Sequence, residues 1–218
     1  MASLTVDPAL SALIIIDVQN DFCPGGALAV EGGDEVIEPL NRLSARLSAS
    51  GGKVIATQDW HPGGHVSFAS SHPGKNPGET IDLQDLKGQV LWPDHCVQGS
   101  KGAQFHQNLD LDSSCLILRK GFRPGLDSYS AFLENDRCTQ TGLHGFLQEL
   151  GVTTLLMGGL ATDYCVYYSA LDALGLQYRV IILEDAVRGV GQPEGSIERA
   201  LGSLKEAGAL LCPSSGIL

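Results

Sequence analysis

Positive charge is scarce in this chain: 14 Lys and Arg stand against 25 Asp and Glu in 218 residues, a formal net charge of −11. A nucleic-acid binder needs a basic stripe to neutralise phosphates, and an anionic membrane surface makes the same demand, so both partner classes are excluded. Long apolar runs are missing as well; none approaches the roughly 20 residues required to span a bilayer. The opening residues, Met-Ala-Ser-Leu-Thr-Val-Asp, have neither the basic stretch nor the apolar segment of a secretory signal. No two of the six cysteines (Cys23, Cys96, Cys115, Cys138, Cys165 and Cys212) share a Cys-x-x-Cys spacing, so free thiols are expected rather than bridges or a zinc knuckle. What is left is a soluble, acidic, cytoplasmic domain. Domains hold roughly 100–200 residues, so one domain over 1–218 is expected.

What is present is an alternation of strands and helices. Ser11-Ala-Leu-Ile-Ile-Ile16 is a β-branched apolar run of the kind buried on both faces, closed by Asp17. A helical stretch opens at Gly33-Asp34, with Val36, Ile37, Leu40, Leu43 and Leu47 on one face, and stops at Gly51-Gly52. Lys53 to Thr57 reads as a second strand ending near Asp59, and Cys115 to Arg119 as a third that delivers Lys120. Thr141 to Leu150 reads as a helix, Val152 to Met157 as a fourth strand followed by Gly158-Gly159, and Asp163 to Leu174 as a helix. Tyr178 to Leu183, Glu194 to Ala207 and Ala209 to Cys212 complete the series as strand, helix and strand. Such alternation predicts a single-domain, three-layer α/β fold with a mainly parallel sheet of about six strands flanked by helices. Residues 60–110, rich in Gly, Pro, His and Ser, form a long loop of the sort that carries function.

In open parallel sheets, ligands sit outside the carboxyl ends of the strands. Asp17, Asp59, Lys120 and the segment Gly158-Gly-Leu-Ala-Thr-Asp-Tyr-Cys165 occupy those ends. Each has an ordinary explanation: an aspartate that caps a turn, a surface lysine, a buried thiol. Cys165, however, falls in the first turn of a helix, where free N–H groups and the dipole lower a thiol pKa and can hold an oxyanion. It is the best-placed nucleophile of the six, with Asp17 as base and Lys120 as electrostatic partner. A second constellation is Asp59-Trp-His61-Pro-Gly-Gly-His65, followed by His95 in Trp92-Pro-Asp-His-Cys96. Positions i and i+2 of a strand share a face, so Asp59 and His61 can chelate one ion, with His65 or His95 supplied by the loop. A carboxylate with two or three imidazoles suits Zn²⁺, Fe²⁺ or Mn²⁺. His72 and His106 read as solvated loop residues.

Six segments, in this order, resemble the nicotinamidase/pyrazinamidase family of isochorismatase-like cysteine hydrolases: Asp17-Val-Gln-Asn-Asp-Phe22-Cys-Pro-Gly-Gly26, Gln58-Asp-Trp-His-Pro62, Trp92-Pro-Asp-His-Cys96, Lys120-Gly121, Asp127-Ser-Tyr-Ser-Ala-Phe132 and Gly159-Leu-Ala-Thr-Asp-Tyr-Cys165. The resemblance extends from about residue 11 to 212. It implies a catalytic triad of Asp17, Lys120 and Cys165, and metal ligands Asp59, His61 and His95; His65 matches a ligand in some members only. Phe22 and Trp92 match an aromatic pair that sandwiches a pyridine ring, with Leu28 and Tyr129 as lesser contacts. The Leu160–Ala161 peptide matches one that is cis in the family, aiming the Ala161 amide, with that of Cys165, at the oxyanion. The activity implied is hydrolysis of nicotinamide to nicotinate and ammonia in NAD salvage, with one divalent ion, Zn²⁺ foremost. A homo-oligomer is left open. Isochorismatases lack the thiol and the metal set. Carbamoyl and ureido amidases share the Asp-Lys-Cys core without this His-rich loop, and a non-catalytic binding member would require a broken triad.

Overall fold

The computed structural model describes residues 4–83 and 86–217. Its main sheet has six strands: β1 (Ser11–Ile16), β2 (Lys53–Asp59), β5 (Leu116–Lys120), β6 (Thr154–Leu160), β7 (Arg179–Arg188) and β8 (Leu210–Cys212). They lie in the order β5-β2-β1-β6-β7-β8, and every pairing is parallel. A separate two-stranded antiparallel ribbon, β3 (Thr80–Ile81) and β4 (Gln89–Val90), stands in the long loop.

β1 is buried at all six positions because both its faces are covered. Leu13 and Ile15 enter one core, under the helix α1 (Ile37–Ala49), whose Ile37, Leu40, Leu43 and Leu47 face them. Ala12, Ile14 and Ile16 enter the other, under α2 (Leu143–Glu149), α3 (Tyr167–Gly175) and α4 (Ser196–Glu206). The strand period of two thus deals alternate side chains to two helical layers. Each fully buried Leu or Ile contributes about 1.5–3 kcal/mol relative to exposure. This is the three-layer α/β architecture expected from the alternation.

Three boundaries differ from the sequence reading. β6 runs on through Gly158-Gly159 to Leu160. Neither glycine is a stop: a Cβ at Gly159, where φ is +123°, would collide with the Ile16 backbone, so this position admits β1 at close range only as glycine. β7 extends five residues past Leu183, and its register with β6 shifts between Met157 and Gly159. The helix expected from Asp163 begins instead with a π-helical turn, Thr162–Val166, before α3.

β2 and β6 lie on opposite sides of β1, so the chain order reverses there and a crevice opens beyond the carboxyl ends of the strands. No helix among the described residues is long and apolar enough to cross a membrane.

Candidate active site

The crevice gathers the ends of four adjacent strands. β1 leads into Asp17, β2 ends at Asp59, β5 at Lys120, and β6 leads into Ala161 and the turn carrying Cys165. Lys120 is buried at 1% exposure, which only multiple anionic or polar partners make tolerable. Its ammonium donates to Asp59 Oδ1 at 2.6 Å, to the Ser128 carbonyl at 2.9 Å and to Cys165 Sγ at 3.4 Å. Those three bonds use its three protons. Asp17 Oδ2 lies 2.9 Å from the same nitrogen as an ion pair, yet has no hydrogen-bond partner of its own. Asp17 Oδ1 is fixed by Thr57, whose hydroxyl donates to it at 2.7 Å and accepts the Asp17 N–H at 3.2 Å. A carboxylate oxygen of Asp17 and the Cys165 sulfur lie within 4.8 Å of each other, and both residues are buried.

Charge states follow from burial set against neighbours. Burial pushes the Asp17 carboxyl up to about 6, with Lys120 opposing the rise. Burial also works to raise Asp59, but Lys120 and the nearby imidazoles outweigh it and hold that carboxyl below the usual range. The Lys120 ammonium is held well above its ordinary value, since Asp17 and Asp59 overcome its desolvation. For Cys165 the expectation of a lowered pKa is overturned: complete burial pushes the thiol well up, and Lys120 only partly offsets it. The thiol thus stands beside the Asp17 carboxyl, whose Oδ2 is ion-paired with Lys120.

The histidines form the adjoining wall. His61 continues from β2, and its backbone pairs with the Cys96–Gln98 strand segment, which carries His95 alongside. His61 Nδ1 donates to the Gly121 carbonyl and His95 Nδ1 to the Pro93 carbonyl, each at 2.8 Å. Those bonds leave both Nε2 lone pairs free, and His61 Nε2 lies 3.7 Å from Asp59 Oδ2. Gly121, at φ +65°, is obligatory here, because a Cβ would enter the His61 ring. The donor atoms of Asp59, His61 and His95 all fall within 4.8 Å, and all three residues are buried. A preformed N,N,O set with fixed tautomers fits a Zn²⁺, Fe²⁺ or Mn²⁺ ion.

His65 is buried beside His61 with ring centroids 4.3 Å apart. Its Nε2 donates to the Leu126 carbonyl at 3.2 Å, and its Nδ1 meets Ser67 at 2.7 Å. In this arrangement both nitrogens have protein partners, and His65 also falls with His61 and Asp127 in a second buried group whose donor atoms lie within 4.8 Å of one another. His72, half-buried, bonds the Val66 carbonyl instead.

A cavity of about 400 Å³, its open mouth included, lies over these groups. Phe22, Leu28, Trp92, Tyr129, Ala161 and Cys165, which the resemblance implies as pocket or catalytic residues, line it together with Asp59, His61 and His95. The Leu160 side chain does not; it packs in the core against Gly33, so only its peptide with Ala161, which is cis, borders the site. Sequence reasoning missed Thr57, Asp127, Tyr164 and Val190, the last three of which line the cavity. It also missed Gln19, a buried amide that binds both the N–H and the carbonyl of Asp59 at 2.8 Å. Phe68 was missed too; its ring centroid lies 5.6 Å from each of the three imidazoles His61, His65 and His95. Tyr164 had a visible signal, adjacency to Cys165, and Gln19 and Asp127 lay within the marker segments; Thr57, Phe68 and Val190 had none outside the tertiary structure.

Residues 11–214 match the isochorismatase domain family. Relatives include a nicotinamidase of Acinetobacter baylyi, 47% identical over 95% of this chain and 94% of that protein, and one of Escherichia coli, 47% identical over 92% and 93%. Among solved structures, a nicotinamidase/pyrazinamidase of Acinetobacter baumanii superposes with TM-score 0.91 at 45% identity, covering 96% of this chain and 99% of that one. A protein of L. infantum in complex with nicotinate gives 0.83 at 36%, over 99% and 98%. A pyrazinamidase of Pyrococcus horikoshii in complex with zinc gives 0.76 at 35%, over 94% and 99%.

Proposed function

We propose, from the premise that this chain belongs to the isochorismatase-domain family and is a hydrolase acting on an amide C–N bond, that it converts nicotinamide and water to nicotinate and ammonia through a thioester on Cys165. The observation that carries the reading is the buried Lys120 ammonium in contact with Asp17, Asp59 and the Cys165 thiol at once.

The pyridine ring enters between Phe22 and Trp92, which exclude water from both its faces. Asp59, His61 and His95 would hold one divalent cation, Zn²⁺ by first choice, which would supply Lewis acidity toward the ring nitrogen. Asp17 Oδ2, which has no other hydrogen-bond partner, takes the thiol proton, and Lys120 stabilises the thiolate. Sulfur attacks the carboxamide carbon, and the N–H groups of Ala161 and Cys165 hold the oxyanion. The C–N bond breaks as Asp17 returns its proton to the departing ammonia. Asp17 then deprotonates a water that attacks the thioester, releasing nicotinate and restoring the thiol.

Ammonia release from nicotinamide by the purified protein, before and after chelation and metal restoration, tests the proposal. Cys165→Ala is expected to abolish release while nicotinamide still binds. Near-wild-type turnover in that variant would sink it.

A further inference from the structure

The cavity rim is held by a set of contacts that no catalytic step uses. Asp163 lies two residues before Cys165 in the π-helical turn and is buried. Its Oδ1 accepts the Val190 N–H at 2.9 Å; its Oδ2 accepts the Gly191 N–H at 3.0 Å and the Ser196 hydroxyl at 2.5 Å. One carboxylate on the nucleophile's own turn thus ties down the connection from β7 to α4. There is no slack behind it, because a Cβ at Gly189 would run into Ile197 and come within 3.0 Å of Asp163 Oδ1. Val190, carried by this connection, and Leu28 are the two half-buried aliphatic side chains larger than alanine on the cavity wall. The remaining wall consists of aromatic rings, Ala161, the thiol, Asp127 and the side chains of Asp59, His61 and His95.

We propose that Val190 determines which ring-substituted pyridine carboxamides the cavity admits, and that Asp163 is the positioning residue that holds this wall at a fixed distance from Cys165. The inference rests on the nicotinamide reading above. Once the carboxamide faces Cys165 and the ring nitrogen faces the histidines, a ring edge remains to be bounded by aliphatic wall. Valine bounds it stiffly, having one strongly preferred χ1 rotamer in most settings and, here, tethered amides at its own position and the next. One methyl group more or less in such a pocket changes selectivity by about 10–200-fold.

The test is kcat/KM for ammonia release from nicotinamide, 5-methylnicotinamide and 6-methylnicotinamide, in the wild type and in Val190→Ala, Val190→Phe, Asp163→Asn and Ser196→Ala. The wild type is expected to prefer nicotinamide over at least one methyl analogue by about tenfold or more. Val190→Ala narrows that preference by about tenfold and Val190→Phe widens it. Asp163→Asn, which turns one acceptor oxygen into a donor facing donors, narrows it too, and Ser196→Ala, which removes one bond of three, does so less. A merely structural Asp163 would depress all three amides by one common factor and leave the ratios unmoved; that result overturns its positioning role. Ratios unchanged for both analogues in both Val190 variants overturn the inference alone. A wild type that releases no ammonia from nicotinamide overturns the reading beneath it as well.

Discussion

One hydroxyl tunes the proposed base. Burial drives the Asp17 carboxyl up to about 6, and the Thr57 hydroxyl works against that rise by donating to the ionised form. The base takes a proton only when ionised, so kcat/KM is expected to fall as pH drops below about 6. Thr57→Val keeps the shape and removes the donor. A hydrogen bond to a charged group is worth about 1.5–3 kcal/mol, so the acid limb of the pH profile should move upward by about one unit or more. An unmoved limb in that variant would mean that Asp17 is not the group being titrated. Asp17, Lys120 and Cys165 were legible in sequence because each closes or follows an apolar run. Thr57 and Gln19 were not, since each acts on a residue 40 positions away that only strand pairing brings near. The acidity of Cys165 was misread for a related reason: a helix start is visible in sequence, and the depth at which it is buried is not.

Elements were legible wherever one force dominated. The apolar stretches Ala12 to Ile16 and Val54 to Ala56 marked β1 and β2, because a strand covered on both faces is mostly apolar. The far end of β7 was hidden by Glu184, Asp185 and Arg188, which flank buried Ala186 and Val187 where the register with β6 shifts. The end of β6 was hidden by glycines that usually punctuate but here allow close approach to β1. The α1 helix was plain from its apolar stripe, and its hold on the sheet is measurable. Leu40 is fully buried there, so Leu40→Ala is expected to lower unfolding free energy by about 2–5 kcal/mol, read from urea denaturation. A loss under about 1 kcal/mol would show that the stripe is not packed as described.

At the scale of the whole molecule, the charge of −11 has no part in the proposed catalysis. The proposed substrate is neutral, and a neutral ligand is not steered by a protein's field. The rate constant kcat/KM for nicotinamide is therefore expected to change by less than about twofold over a tenfold rise in salt, whereas a charged substrate would show a steep dependence. The strand order β5-β2-β1-β6 has a consequence for how the site comes into being. Asp17 meets Thr57 across 40 residues, Lys120 meets Asp59 across 61, and Lys120 meets Cys165 across 45. No stretch of chain short enough to organise by itself contains two of these partners. The loop-closure entropy of the central sheet has to be met before any catalytic contact can form. The proposed chemistry thus requires the completed topology: until the central strands pair, Lys120, Asp17 and Asp59 have not met, and each stays in water, because an unpaired charge is too costly to bury.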